Sequence, residues 1–156
     1  MLRQHFKRTG FSLLELMLVV VIIGLIAAIA IPRMSRGAAG AADASLSGDL
    51  AVLRDAVDRY STEHTGSFPT VAAFTNQLTL YSSGTGGTSA TRDTTYIYGP
   101  YLRAVPALPV GTRKGQTGVA AADAATVGWI YNETTGVINA NTTTDADVSG
   151  KLYNTY

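Results

Sequence analysis

Glu15 is the only charge between Phe11 and Ile31, in the run FSLLELMLVVVIIGLIAAIAI. A carboxylate in hydrocarbon costs on the order of 2.5–3.5 kcal/mol on insertion scales, so it needs a cationic partner or a route to the headgroups. A second set of oxygen donors lies in Asp145-Ala-Asp-Val-Ser149, where Asp145 and Asp147 alternate beside a serine and backbone carbonyls. Such donors could hold Ca²⁺, a hard cation; a solvated acidic tail is the preferred reading. His64 is a lone histidine where a helix should end, and a C-terminal cap or solvent exposure accounts for it better than catalysis. The chain has no cysteine, which excludes disulfides, thiolate metal sites and a cysteine nucleophile. It also has no histidine pair, no P-loop and no Gly-x-Ser-x-Gly, and its carboxylates are few and scattered. We read a chain that is not an enzyme.

The elements that must position these groups follow from hydrophobic pattern. At about 1.5 Å per residue, the run from Phe11 to Ile31 matches a hydrocarbon core of about 30 Å, and it has no polar face. A membrane-inserted helix is expected. The basic cluster Arg3, Lys7 and Arg8 before it should stay cytoplasmic and send the C-terminal part outside. A secretory signal peptide has a similar start, but this apolar run is about twice the usual length and no good A-x-A site ends it. Gly24 and Ala28 form a small-x-x-x-small pair that allows close helix approach, with simple lipid contact as the alternative. Pro32 cannot complete the bond to residue 28, so a kink or local loosening is expected there.

Beyond Pro32 the helix should continue. Leu46, Leu50, Leu53, Val57 and Tyr60 recur at alternating spacings of four and three and make one face, with Asp43, Asp49, Arg54, Asp55, Asp58 and Arg59 largely off it. This amphipathic stretch should pack on a small sheet and end near Glu63 to Ser67. Val71–Leu80 reads as a short helix, and the Gly/Ser/Thr-rich Ser82–Ala90 as a mobile surface loop. Prolines between Tyr96 and Pro109 forbid a central strand. Thr126–Tyr131 and Val137–Asn141 read as a hairpin around the turn Asn132–Gly136, with Trp129 as its anchor on the helix. The net charge of +1 over 156 residues shows no large basic face, so no nucleic-acid partner is expected. Asn132 and Asn141 also match a glycosylation pattern too common in Thr-rich chains to decide anything.

Taken together, Lys7-Arg8-Thr9-Gly10, then Phe11-Ser12-Leu13-Leu14-Glu15-Leu16-Met17, then the apolar run to Pro32, resembles the prepilin-type cleavage and methylation segment of type IV pilins and secretion pseudopilins. The resemblance implies removal of residues 1–10 by a membrane prepilin peptidase after Gly10 and N-methylation of the new Phe11 amine. That amine would be the partner that Glu15 lacks, within one subunit or between stacked subunits, where a misaligned pair leaves both charges bare. The alternative is that Glu15 snorkels to the headgroups. Gly24 and Pro32 then mark a deformable stretch of the assembly helix. Without its leader the chain keeps nine basic residues against eleven acidic ones, a balance of −2. Tyr98-Gly-Pro-Tyr-Leu102 and the Gly128–Gly136 hairpin look like the globular half of type II secretion pseudopilins. Major secretion pseudopilins carry a calcium site near the position of Asp145 and Asp147, although Asn141-Thr-Thr-Thr144 replaces the expected Gly/Asp-rich loop here.

The fold expected is α+β and pilin-like: a long N-terminal α-helix, its outer half amphipathic, packed on a small antiparallel β-sheet. Its parts would be a cleaved leader (1–10), a transmembrane and assembly helix (11–32), an amphipathic continuation (33–66) and a β-rich domain (67–156). The resemblance implies a filament subunit of a type II secretion system. A true type IV pilus pilin for adhesion, motility or DNA uptake is the second reading, and a signal-anchored domain that never polymerises is the third. Expected partners are copies of the chain, other pilin-like subunits, the prepilin peptidase, an inner-membrane assembly platform and lipid. The expected place is the bacterial inner membrane, spanned once with the N-terminus cytoplasmic, and the filament after assembly. No cofactor is required by this reading, Ca²⁺ being the one open candidate.

Overall fold

The computed structural model of the chain describes residues 10–156 and, for residues 32, 35 and 36, the backbone alone. Arg3, Lys7 and Arg8, with the rest of the expected leader to residue 9, lie outside the described residues. The chain divides into two compact units, Met1–Ala38 and Ala39–Tyr156. Helix α1, Leu13–Glu63, starts in the first and ends in the second, and Pro32 lies within it.

In the first unit, the 19 residues Leu13–Ile31 are long and apolar enough to cross a membrane, and none is buried. Leu13 is 88 % exposed and even the best covered of the large side chains, Val19, is 47 % exposed. A helix that is apolar all round needs lipid or other helices against it.

In the second unit α1 becomes one-sided. Leu46, Leu50, Leu53, Val57 and Tyr60 are all buried, while Asp55, Asp58 and Arg59 are exposed. The helix closes on Thr65 in the left-handed region (φ 57°), followed by Gly66 (φ 86°), whose N–H bonds the Ser61 carbonyl at 2.8 Å. That bond satisfies one of the carbonyls every helix end leaves open. Helix α2, Phe74–Thr79, lies inside the segment expected to be helical and buries Phe74, Gln77 and Leu78.

Five strands follow: β1 (Tyr81–Ser82), β2 (Thr88–Ser89), β3 (Gly118–Ala120), β4 (Val127–Tyr131) and β5 (Ile138–Ala140). A last 3₁₀ turn spans Tyr153–Thr155. Strands β4 and β5 make the expected antiparallel hairpin, in register Trp129↔Ala140 and Tyr131↔Ile138. Its turn is held by the Asn132 side-chain oxygen, which accepts from Thr134 N and Thr135 N. Gly136 is required there: its φ is 73°, and a Cβ would come within 2.5 Å of Phe68. Strand β3, unforeseen from sequence, adds a parallel edge to β4, with a register shift at Gly118/Val119. The stretch Ser82–Ala90, expected as a mobile loop, instead contains most of the antiparallel pair β1–β2, with Ser82 and Ser83 buried.

Trp129 is fully buried in the shared core of helix and sheet, and its indole N–H donates to the Pro106 carbonyl at 2.8 Å. Tyr131 packs edge-on to Phe74 with ring centroids 4.6 Å apart. Truncating the stripe should therefore unfold the second unit. Leu53→Ala is expected to cost about 2–5 kcal/mol, read as a lowered denaturant midpoint of Trp129 fluorescence in the detergent-solubilised full chain.

Candidate functional site

Ser12 caps α1. Its carbonyl accepts from Leu16 N at 3.2 Å and its Oγ accepts from Leu14 N at 3.2 Å. Glu15 reaches back, its Oε2 accepting the Ser12 backbone N–H at 2.9 Å. This is the capping-box pairing of residues 12 and 15 with the Ser12 hydroxyl on the second helical N–H in place of the third, and it places a carboxylate at the positive end of the helix dipole. The Ser-x-x-Glu spacing stands in the sequence at residues 12–15, but the sequence reading gave Ser12 no role.

The other residues singled out at this end stand open. Phe11 is 82 % exposed. A Cβ built at Gly10 or Gly24 would meet no atom of the described residues within 4 Å, so Gly24 relieves no crowding among them. Pro32 sits in the helix, and its backbone is all that is described.

Asp145 and Asp147 have separate protein donors. Asp145 Oδ2 accepts from Thr112 N (2.8 Å) and Thr112 Oγ1 (3.1 Å). Asp147 Oδ1 accepts from Ser149 N (2.7 Å), Ser149 Oγ (2.6 Å) and Lys151 N (2.9 Å), and its Oδ2 accepts the Tyr156 hydroxyl. The donated hydrogen bonds, that of Ser149 Oγ first and that of Tyr156 next, hold the Asp147 carboxyl well below the usual aspartate range. Tyr156 responds in the opposite sense, pushed up to about 12 by its bond to Asp147 and then by burial. Among the described residues no group of three or more His, Cys, Asp or Glu is placed to hold a metal ion.

His64 corrects the expectation of solvent exposure: it is 2 % exposed and stacks on Tyr60 with ring centroids 3.8 Å apart. Its Nδ1 lies 2.8 Å from the Tyr60 carbonyl, the capping half of the expectation. Its Nε2 lies 3.0 Å from the Ser83 carbonyl and 3.2 Å from Ser82 Oγ, tying the helix end to β1. Ser82, like His64, is buried. Asn141 is buried too, its Nδ2 donating to Asp123 Oδ1 and the Val127 carbonyl, whereas Asn132 is exposed.

Comparison with protein families places a prokaryotic N-terminal methylation motif on residues 5–31, a span that takes in Gly10, Phe11, Ser12, Glu15 and Gly24. The motif is of the prepilin type and implies processing by a prepilin peptidase and assembly with pilin-like subunits. Motif and architecture are consistent with a type IV pilin-like protein of α+β fold, and the apolar N-terminal helix, the one such helix among the described residues, fits a membrane anchor. No curated protein and no solved structure matches the chain.

Two outcomes are expected. Ser12→Ala should cost about 1 kcal/mol at the helix start, read as faster amide exchange at Leu14–Leu16, with Ser12→Thr restoring most of it. The Asp147–Tyr156 bond has a defined pH window. Asp147's depressed value makes its contribution complete above the ordinary 3.8 and lost as pH falls below it; Tyr156's raised value makes its contribution complete below 10.0 and lost through about 12. Tyr156→Phe should accordingly lower the thermal midpoint at neutral pH, and its difference from wild type should vanish at both extremes.

Proposed function

We propose that this chain is a structural subunit of a type IV pilin-like filament and, within that class, a pseudopilin of a type II protein secretion system. The observation that carries the reading is the unburied Leu13–Ile31 helix bearing one carboxylate, held by the Ser12 N–H, within the methylation motif. Exposure all round an apolar helix suits lipid first and helices of other subunits later. In this reading the prepilin peptidase cuts between Gly10 and Phe11, and Phe11 is N-methylated. The α-amine so created sits on the residue before Ser12, whose own N–H already holds the Glu15 carboxylate. Glu15 therefore stands ready for its own amine in the bilayer, or for the amine of an incoming subunit in the filament. An unpaired charge in that low-dielectric setting is costly, which makes the pairing a register device. Gly24 and Pro32 give the assembly helix its close approach and its point of yielding.

The same reading orients the chain in the inner membrane with the N-terminus cytoplasmic and the Ala39–Tyr156 unit outside, polymerised by an assembly platform and its ATPase. In this reading the chain has no catalytic role: the serine–histidine contact is buried, and Glu15, Asp123, Asp145 and Asp147 all take donors from the protein. The absence of cysteine favours secretion over the pilus, since many pilus-forming pilins close a C-terminal loop with a disulfide.

The mass of the N-terminal peptide from cells containing the prepilin peptidase is the first test. N-methylated Phe11 is expected; a terminus at Met1 would reduce the chain to a signal-anchored domain. In the same cells Glu15→Ala should insert normally and fail to assemble, so normal filaments from that variant would overturn the pairing. Deletion of the chain is expected to abolish export of secreted enzymes, whereas loss of surface pili with export intact would assign it to a type IV pilus.

A further inference from the structure

Major secretion pseudopilins, which the globular half of this chain resembles, carry calcium near the position of Asp145 and Asp147. A calcium ion takes six to eight oxygens at about 2.3–2.6 Å, converging on one point. The acids here diverge onto N–H and O–H donors. Asp147 accepts from Ser149, Lys151 and Tyr156, and Asp145 accepts from Thr112. The turn at Gly111 wraps Asp145 so closely that a Cβ there would lie 2.7 Å from Oδ2. Asp123, in the loop between β3 and β4, already has a cation: Arg113 contacts both its oxygens, Nε–Oδ1 at 3.1 Å and Nη2–Oδ2 at 3.0 Å. Asn141 Nδ2 adds a third donor to Asp123 at 2.8 Å and a bond to the Val127 carbonyl that fixes the end of β4. A metal would have to break these bonds to gain its ligands, and the released N–H groups would then face a cation.

We propose that the C-terminal loops of this subunit are locked without metal, by Asp147 gripping the 149–156 segment and by Arg113 pairing with Asp123. The two locks meet different parts of the unit. The first holds Tyr156, whose carbonyl takes the Arg54 guanidinium of α1 at 2.7 Å and whose ring carries Lys151 Nζ at 3.9 Å. The second ties the 111–116 turn to the β3–β4 loop. The subunit's stability is then indifferent to calcium, whichever filament it enters.

The test is thermal unfolding of the detergent-solubilised full chain, followed by fluorescence of Trp129, its one tryptophan, in EGTA and in millimolar calcium chloride. Coincident midpoints are expected. A resident calcium site saturated a hundredfold would raise the midpoint by at least about 5 °C, and such a rise would overturn the proposal. Asp147→Ala separates the two accounts a second way. A lowered midpoint of the same size in both buffers supports the lock; a loss confined to calcium buffer, or no loss in either, refutes it. Neither measurement depends on processing or polymerisation, so failure here leaves the filament reading standing, and the reverse.

Discussion

The stripe of Leu46, Leu50, Leu53, Val57 and Tyr60 on α1 is the surface on which the core of the Ala39–Tyr156 unit closes. The longest strand, β4, has five residues, and the others have two or three. Strands of that length are marginal by themselves. They persist because the helix supplies a continuous apolar wall, against which Trp129, Tyr131, Ile138 and Ala140 are buried. The helix must therefore stay formed to Glu63, past Gly37, Gly40 and Gly48, although each glycine costs about 1 kcal/mol relative to alanine. A Cβ at any of the three would meet no atom of the described residues within 4 Å, so no packing within those residues explains the choice.

One helix thus answers to two solvents. In Leu13–Ile31 every face is apolar, and the free energy of leaving water has to come from lipid or from other chains. From Leu46 onward, one face is covered by the chain's own strands and the other meets water. Glu15 is the exception that the first segment has to accommodate. Its bond to Ser12 N gives the carboxylate a partner from the helix itself before any outside cation arrives. A backbone N–H and the helix dipole lower the penalty of the charge without cancelling it. In the proposed assembly the remaining penalty is what an amine removes, so the same carboxylate is tolerable in a lone subunit and better satisfied in a filament.

Legibility in the sequence followed the scale of the pattern. The helix and its stripe were readable because the periodicity of Leu46 to Tyr60 extends over several turns. The β4–β5 hairpin was readable because Asn132–Gly136 is a turn by chemistry. Strand β3 was not, for Gly118-Val-Ala120 is three residues without alternation, and its pairing with β4 is a tertiary event. The β1–β2 pair was masked by composition: Ser82, Ser83 and the glycines after them read as a loop, yet Ser82 N and O bond Tyr98 O and N, and His64 covers them. His64 itself carried no signal of burial, since only the folded loop supplies the Ser83 carbonyl for its second nitrogen. Ser12 was legible as a cap by its spacing to Glu15, but charge and hydropathy gave that segment a stronger meaning.

The final segment shows how a unit with little regular structure can still be closed. Among the described residues, most bonds that fix the stretch after β5 run between a side chain and the backbone or between two side chains. Most of them have a charged partner, which makes them stronger than neutral pairs. Tyr153 donates to Asp43 at 2.8 Å, and Arg54 donates to the Tyr156 and Ile138 carbonyls at 2.7 and 3.2 Å. Both Asp43 and Arg54 stand on α1 outside the apolar stripe, where periodicity alone would leave them to solvent. They are instead the polar margin of the same wall. The stripe excludes water from the strands, and these two side chains bind the end of the chain across its edges, so that the helix closes the unit from both its apolar and its polar faces.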